Sequence, residues 1–234
     1  MPFIATNAKR MLRAAYHRRE TMKLVLFGAT GHIGQSLLDE ALARGHEVTA
    51  VVRDPSRLTQ RHDRLSVVTG DVGRPASWTD AARGNDAAIA SLSARRDQDA
   101  SRVPGYARTL LDHLGAAGIT RLAWVGGAGS LEVAPGRRVI DAPDFPAAWR
   151  PEAEAQGEAL EVFRAYRGPV EWTYVSPAAL LEPGERTGAY RVGGDQLLVD
   201  ASGHSRISIA DYAVALLDRL ERRDAANRRI TVAY

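Results

Sequence analysis

Seven residues near the start of the chain constrain its fold more than any others. Gly28-Ala29-Thr30-Gly31-His32-Ile33-Gly34 joins the apolar run Lys23–Phe27 (KLVLF) to a stretch where Ile33, Leu37, Leu38, Ala41 and Leu42 recur at helical spacing until Gly45. A continuous apolar run of that length suits a strand covered on both faces. Glycines spaced this way between strand and helix serve a tight turn at Gly28, the close approach of a phosphate at Gly31, and close packing of helix on strand at Gly34. The helix N-terminus adds unbonded N–H groups and partial positive charge, which favour an anion.

The rest of the chain keeps the alternation. Strands are predicted at 46–52, Leu65–Thr69, 86–92, Arg121–Val125 and 170–175, with a last one at 230–233. Between them a short helix is predicted over 76–83 and a longer one from Pro104 to Ala117, stopped at Gly118. Residues 129–149, rich in Gly and Pro, read as an irregular excursion before Pro151 opens a helix running to Tyr166. A hairpin-like pair is expected around Gly193-Gly194, within 190–200, and Ser208 stands before a final helix carrying Tyr212, Val214, Leu216 and Leu217. Strands alternating with helices across short connections imply an α/β fold, a doubly wound parallel sheet. Residues 178–210 form a small C-terminal cap segment, and 22–234 a single domain.

Charge narrows the function. The chain of 234 residues carries a net +3, but Lys9, Arg10, Arg13, Arg18 and Arg19 against Glu20 alone give the arm 1–21 a charge of +4, leaving the body at −1. A nearly neutral body offers no surface for tracking phosphates, so a nucleic-acid partner is not expected. The basic arm either resembles a transit peptide or is an extension outside the fold, with Met22 as the natural start. It lacks the apolar core of a secretory signal, so a cytoplasmic location is expected. No apolar run nears the roughly 20 residues of a spanning helix, so no membrane role is expected. With no Cys, thiolate chemistry and cysteine-ligated metal are excluded; the six His are scattered without metal-ligand spacing.

The G-x-x-G-x-x-G spacing resembles that of the extended and atypical short-chain dehydrogenase/reductases, and the resemblance runs from Met22 to the C-terminus. It implies a Rossmann fold that binds a nicotinamide dinucleotide through Gly28, Thr30, Gly31, His32, Ile33 and Gly34. At the end of the second strand an NAD-preferring fold usually presents an acid, whereas this chain reads Val52-Arg53-Asp54-Pro55-Ser56-Arg57. A guanidinium at Arg53, joined by Arg57, suits the 2′-phosphate of NADP(H), which is therefore expected over NAD(H). The segment resembles that of biliverdin reductase B-like flavin reductases. The family likeness further places Asp71 and Val72 beside the adenine. It sets Ser91, Leu92, Gly126 and Gly127 near the ribose and nicotinamide, and Pro177 and Ala178 at the carboxamide.

A missing motif is equally informative. The Tyr-x-x-x-Lys dyad that protonates carbonyls in most short-chain reductases has no counterpart, because the only lysines are Lys9 and Lys23. Where the dyad belongs, the chain reads Trp149-Arg150-Pro151-Glu152-Ala153-Glu154-Ala155-Gln156. Residues 126–131, the Pro-rich loop 141–150 and residues 203–213 resemble the NADH-flavin reductase group of atypical short-chain reductases. That resemblance implies hydride transfer to a flavin- or quinone-like acceptor. Such a ring spreads its charge and can take a solvent proton, so the protein needs mainly a shelf for it.

Trp149 and Tyr190 are candidate walls of that shelf, and Ser130 and His204 the candidate proton donors. Flavin would be a passing small-molecule substrate rather than a tightly held group, and the protein a monomer or homodimer. Two other readings stand beside this one: a non-catalytic NADP sensor resembling NmrA-type regulators, and a specialised biosynthetic reductase or epimerase-like enzyme.

Overall fold

A computed structural model describes residues 21–93 and 99–234. The basic arm, Thr21 excepted, lies outside the described residues. The chain forms β1 (Lys23–Phe27), α1 (His32–Ala43), β2 (Glu47–Val52), β3 (Leu65–Thr69), α2 (Thr79–Ala82), β4 (Ala87–Ala90), α3 (Arg102–His113) and β5 (Arg121–Val125). A minimal hairpin, β6 (Glu132–Ala134) and β7 (Arg137–Arg138), follows within the irregular excursion, and then α4 (Arg150–Ala165) and β8 (Glu171–Ser176). The C-terminal part holds β9 (Leu180–Glu182), β10 (Arg191–Gly193), β11 (Arg206–Ser208), α5 (Ile209–Arg222) and β12 (Arg228–Ala233).

Eight strands make one sheet in the order β10-β12-β8-β5-β4-β1-β2-β3. Every pairing in it is parallel except β10 with β12. From β1 the chain winds outward through β2 to β3, then returns to place β4 on the other side of β1. The turn after β1 and the end of β4 therefore face each other across the point where the winding reverses, and ligands of such sheets bind there.

Both faces are covered, as the apolar strands require. On one face α1 and α5 bring Leu37, Leu38, Leu216 and Leu217 onto Leu24 and Leu26. On the other, α3 and α4 bring Leu110 and Phe163, with Trp78, onto Phe27 and Trp124. Gly118 ends the 3₁₀ turn after α3 in the left-handed region (φ +80°), a conformation a side chain would strain.

The expected hairpin around Gly193-Gly194 does not form. Arg191–Gly193 instead pairs antiparallel with β12, and the next residues bond to Glu132 through Asp195 and Leu197. A sheet edge offered by β12 outcompetes a local turn, because it pairs the backbone N–H and C=O groups of β10 along a strand that is already held in place by β8. The helix expected over 76–83 is split into a 3₁₀ turn, Pro75–Ser77, and the single turn of α2.

The cap is bolted to the domain by charge. The Arg44 side chain, nearly sealed between α1 and α5, donates to Glu40 (2.7 Å), Asp218 (2.8 Å) and Glu221 (3.0 Å). Arg186 of the cap reaches Glu40 at 2.7 Å. Asp211 accepts from the Thr187 hydroxyl (2.6 Å), the Gly188 N–H (2.7 Å) and the Tyr234 hydroxyl (2.7 Å). Ser208 caps α5 by accepting the Asp211 N–H at 3.0 Å. Among the described residues no helix is long and apolar enough to cross a membrane.

Candidate functional site

The three glycines of the first turn are not equivalent. Gly28 has φ +87°, and a Cβ there would lie 2.0 Å from the Ser91 carbonyl oxygen. A Cβ on Gly34 would lie 2.0 Å from the Gly28 carbonyl oxygen. Gly31 is different: its backbone is extended (φ −86°, ψ 163°), and its nearest neighbour would be 3.5 Å away, an ordinary contact. The fold thus requires glycine at 28 and 34 and has no packing reason for one at 31. What a side chain at 31 would occupy is the open space before the N-terminus of α1, where no side chain caps the helix. The first N–H groups of α1 face that space, a setting that favours an anion. Thr30 and Ile33 are half-buried in the turn, while His32 is exposed in the first turn of α1.

Around this turn the strand ends supply a rim. Arg53 follows β2 and Arg57 lies in the 3₁₀ turn Pro55–Arg57, both exposed. Asp54, between them in sequence, accepts the Ser56 N–H (3.0 Å) and hydroxyl (2.6 Å), and these bonds hold its carboxyl below the ordinary value. Asp71 folds back to accept the Gly73 N–H at 2.9 Å, and Val72 packs into the core. Ser91 donates its N–H to the Phe27 carbonyl (2.9 Å), keeping the ends of β4 and β1 in register.

The floor beyond β4 and β5 is built by two side chains that sequence reasoning did not single out. Tyr174 donates its hydroxyl to the Gln156 carbonyl (2.8 Å) and accepts the Gly127 N–H (3.2 Å). A Cβ on Gly126 would lie 2.0 Å from the Tyr174 ring, so this glycine answers to packing. Burial pushes the Tyr174 phenol above its ordinary range. Gln156 accepts from the Trp124 indole (3.0 Å) and donates to the Leu92 carbonyl (3.1 Å) and to Glu152 Oε1 (3.3 Å). Glu152 Oε2 is buried and has no hydrogen-bond partner among the described residues. Glu152 and Gln156 stand one turn apart on the inward face of α4, where the resemblance would put Tyr and Lys. The signal was a polar i,i+4 pair in a stripe otherwise made of Ala155, Ala159 and Leu160. Pro177 and Ala178 are buried directly after β8.

The four residues expected around the acceptor separate. Trp149 is 51% exposed and stands at the entry to α4, three residues before Glu152. Tyr190 departs from the role of a free wall: its hydroxyl donates to Asp218 at 2.6 Å and its ring packs on the core beside α5. Ser130 accepts from Arg229, whose side chain is 3% exposed and ion-paired to Asp195, so the hydroxyl belongs to a structural network. His204 is 74% exposed on a turn closed by Asp200, which accepts its N–H at 3.0 Å.

An open parallel sheet with a glycine turn at its switch point defines a dinucleotide-binding α/β protein. The family described as NAD(P)H-binding matches residues 28–219, and the chain belongs to it. The chain is 40% identical over 214 residues to the uncharacterized protein YwnB of Bacillus subtilis, covering 90% of this chain and 98% of that one. A Bacteroides thetaiotaomicron structure, provisionally named an epimerase, matches at 39% identity with a TM-score of 0.84, covering 92% of this chain and 98% of its own. A Streptococcus pneumoniae structure, provisionally named an NADH-flavin reductase, matches at 33% identity with a TM-score of 0.80, covering 91% and 99%. The protein is thus a Rossmann-fold relative of the oxidoreductases of the atypical short-chain group.

Proposed function

We propose that the protein is an NADPH-preferring reductase that passes hydride to a flavin- or quinone-like acceptor. The observation that carries this reading is Gly31, a glycine the fold does not need, at the mouth of a helix beside the switch point. The turn 28–34 holds the pyrophosphate by backbone N–H groups, and Arg53 with Arg57 meets the 2′-phosphate. Bound NADPH supplies the hydride.

The chain positions rather than protonates. Gln156 and Tyr174 fasten the floor under the nicotinamide end, and Trp149 offers an exposed aromatic face for a flat ring. A carbonyl substrate would develop a localised alkoxide and need a placed acid, and the Tyr-x-x-x-Lys pair that supplies one is absent. The same absence weighs against the epimerase chemistry suggested by the name of the Bacteroides relative. A ring that delocalises the incoming charge has no such need, and the name of the Streptococcus relative agrees with it.

The test is anaerobic NADPH oxidation with FMN, riboflavin and menadione, against a no-protein control. Turnover at least about tenfold above the control supports the reading. Tight NADPH binding with no turnover on any acceptor would make the protein a sensor instead.

A further inference from the structure

We infer that Glu152 selects the hydride acceptor, and that the acceptor it selects presents a ring N–H. The inference rests on the reductase reading and names the substrate class of that same site.

Glu152 is 8% exposed, in the first turn of α4, on the side facing the ends of β4 and β5. One of its oxygens is occupied: Oε1 accepts from Gln156, whose amide also holds the Leu92 carbonyl. Gln156 cannot swing to serve the other oxygen, because Trp124 and Leu92 already hold its two ends. Oε2 is the orphan. A carboxylate oxygen removed from water without a partner is costly, and native proteins keep such groups where a ligand or a chemical role answers them.

The ligand chemistry follows from what that atom can do. A carboxylate oxygen accepts hydrogen bonds and donates none, so its complement is an N–H or O–H on the ligand. A quinone offers only carbonyl oxygens and would meet the carboxylate with lone pairs facing lone pairs. A flavin carries N3–H on the edge of its pyrimidine ring, flanked by carbonyls, and pyrrolic rings carry N–H groups as well. Trp149 stands at the N-cap of α4, three residues before Glu152, a spacing that puts the two on one side of the helix entry, where a flat acceptor stacked on Trp149 would meet Oε2. Replacing Glu152 with Gln keeps the bond from Gln156 and turns the orphan acceptor into a donor. It thereby reverses the preference without changing size.

Riboflavin, N3-methylriboflavin and menadione are compared as acceptors for the wild type and Glu152→Gln, with NADPH affinity measured by fluorescence. The wild type should favour riboflavin over its N3-methyl form in kcat/KM on the order of tenfold or more, since an unmet buried polar atom penalises the analogue. Glu152→Gln should close that gap to about twofold and improve menadione, with NADPH affinity unchanged. Equal use of the two flavins by the wild type overturns the inference and needs no variant, so a misfolded Glu152→Gln could not rescue it. So does a variant that keeps the wild-type preference, or one that loses NADPH affinity instead, which would assign Oε2 to the nicotinamide carboxamide. A wild type that reduces menadione alone overturns the inference and leaves the reductase standing. A wild type that reduces none of the three overturns both.

Discussion

A Cβ on Gly34 would lie 2.0 Å from the Gly28 carbonyl oxygen, whereas one on Gly31 would meet the same oxygen at 3.5 Å. Packing thus demands one of these two glycines and leaves the other free of any such demand. Gly34→Ala should force α1 away from β1 and cost about 1–3 kcal/mol or more, as overpacking does. Gly31→Val should leave the thermal midpoint close to wild type and abolish NADPH binding by calorimetry. Binding that survives Gly31→Val would remove the pyrophosphate from this turn.

On the NADPH reading proposed above, cofactor choice falls to Arg53. Arg53→Asp should weaken NADPH by about 2–4 kcal/mol, through a lost charge-assisted contact and an added repulsion. NADH affinity should hardly move. A wild type that binds both dinucleotides equally would deny Arg53 this role.

Trp149 and Tyr190 should part company. Trp149→Ala removes an exposed ring and should raise the KM for FMN with little loss of stability. Tyr190→Ala strips a hydrogen bond from the buried Asp218 and a ring from the core, so its effect should be a lower Tm. Ser130→Ala and His204→Ala should each cost turnover less than the roughly 10²–10⁴-fold expected of a general acid. A collapse in either variant would restore a dedicated proton donor and favour a carbonyl substrate.

Glu40 should make stability sensitive to acid. Burial pushes its carboxyl up, but hydrogen bonds from Arg186 and Arg44 outweigh burial and hold it below its ordinary value. A carboxyl depressed in the folded state lends stability that is whole above its unfolded value and fades as the pH falls through the folded one. Glu40→Gln should therefore cost on the order of 2 kcal/mol at neutral pH, between exposed and fully buried pairs. The Tm gap to wild type should close as the pH drops below the ordinary carboxylate range. A gap that stays constant with pH would show that Glu40 acts by packing alone.

Much of this architecture was legible because its signals are local. The apolar run at Lys23–Phe27, the glycine spacing behind it and the helical recurrence of Leu37, Leu38 and Ala41 lie within one turn or strand of each other. They announce β1, the turn and α1 without help from distant residues. Leu65–Thr69 and Arg121–Val125 stand where their patterns put them. Ser208 likewise caps its helix as its spacing to Asp211 implies.

By itself, then, the sequence determined the parallel α/β class, the glycine turn between β1 and α1 and the lack of the Tyr-x-x-x-Lys pair, since each depends on residue types at short spacing. Tertiary structure decided the rest. It chose β12 as the partner of β10 over a local hairpin, drew Tyr190 to Asp218 and Ser130 to Arg229, and left one oxygen of Glu152 without a partner among the described residues. The physical reason is common to all four: a polar group's role depends on which donors and acceptors reach it after distant segments pack. A chain read in one dimension carries the groups but not those distances.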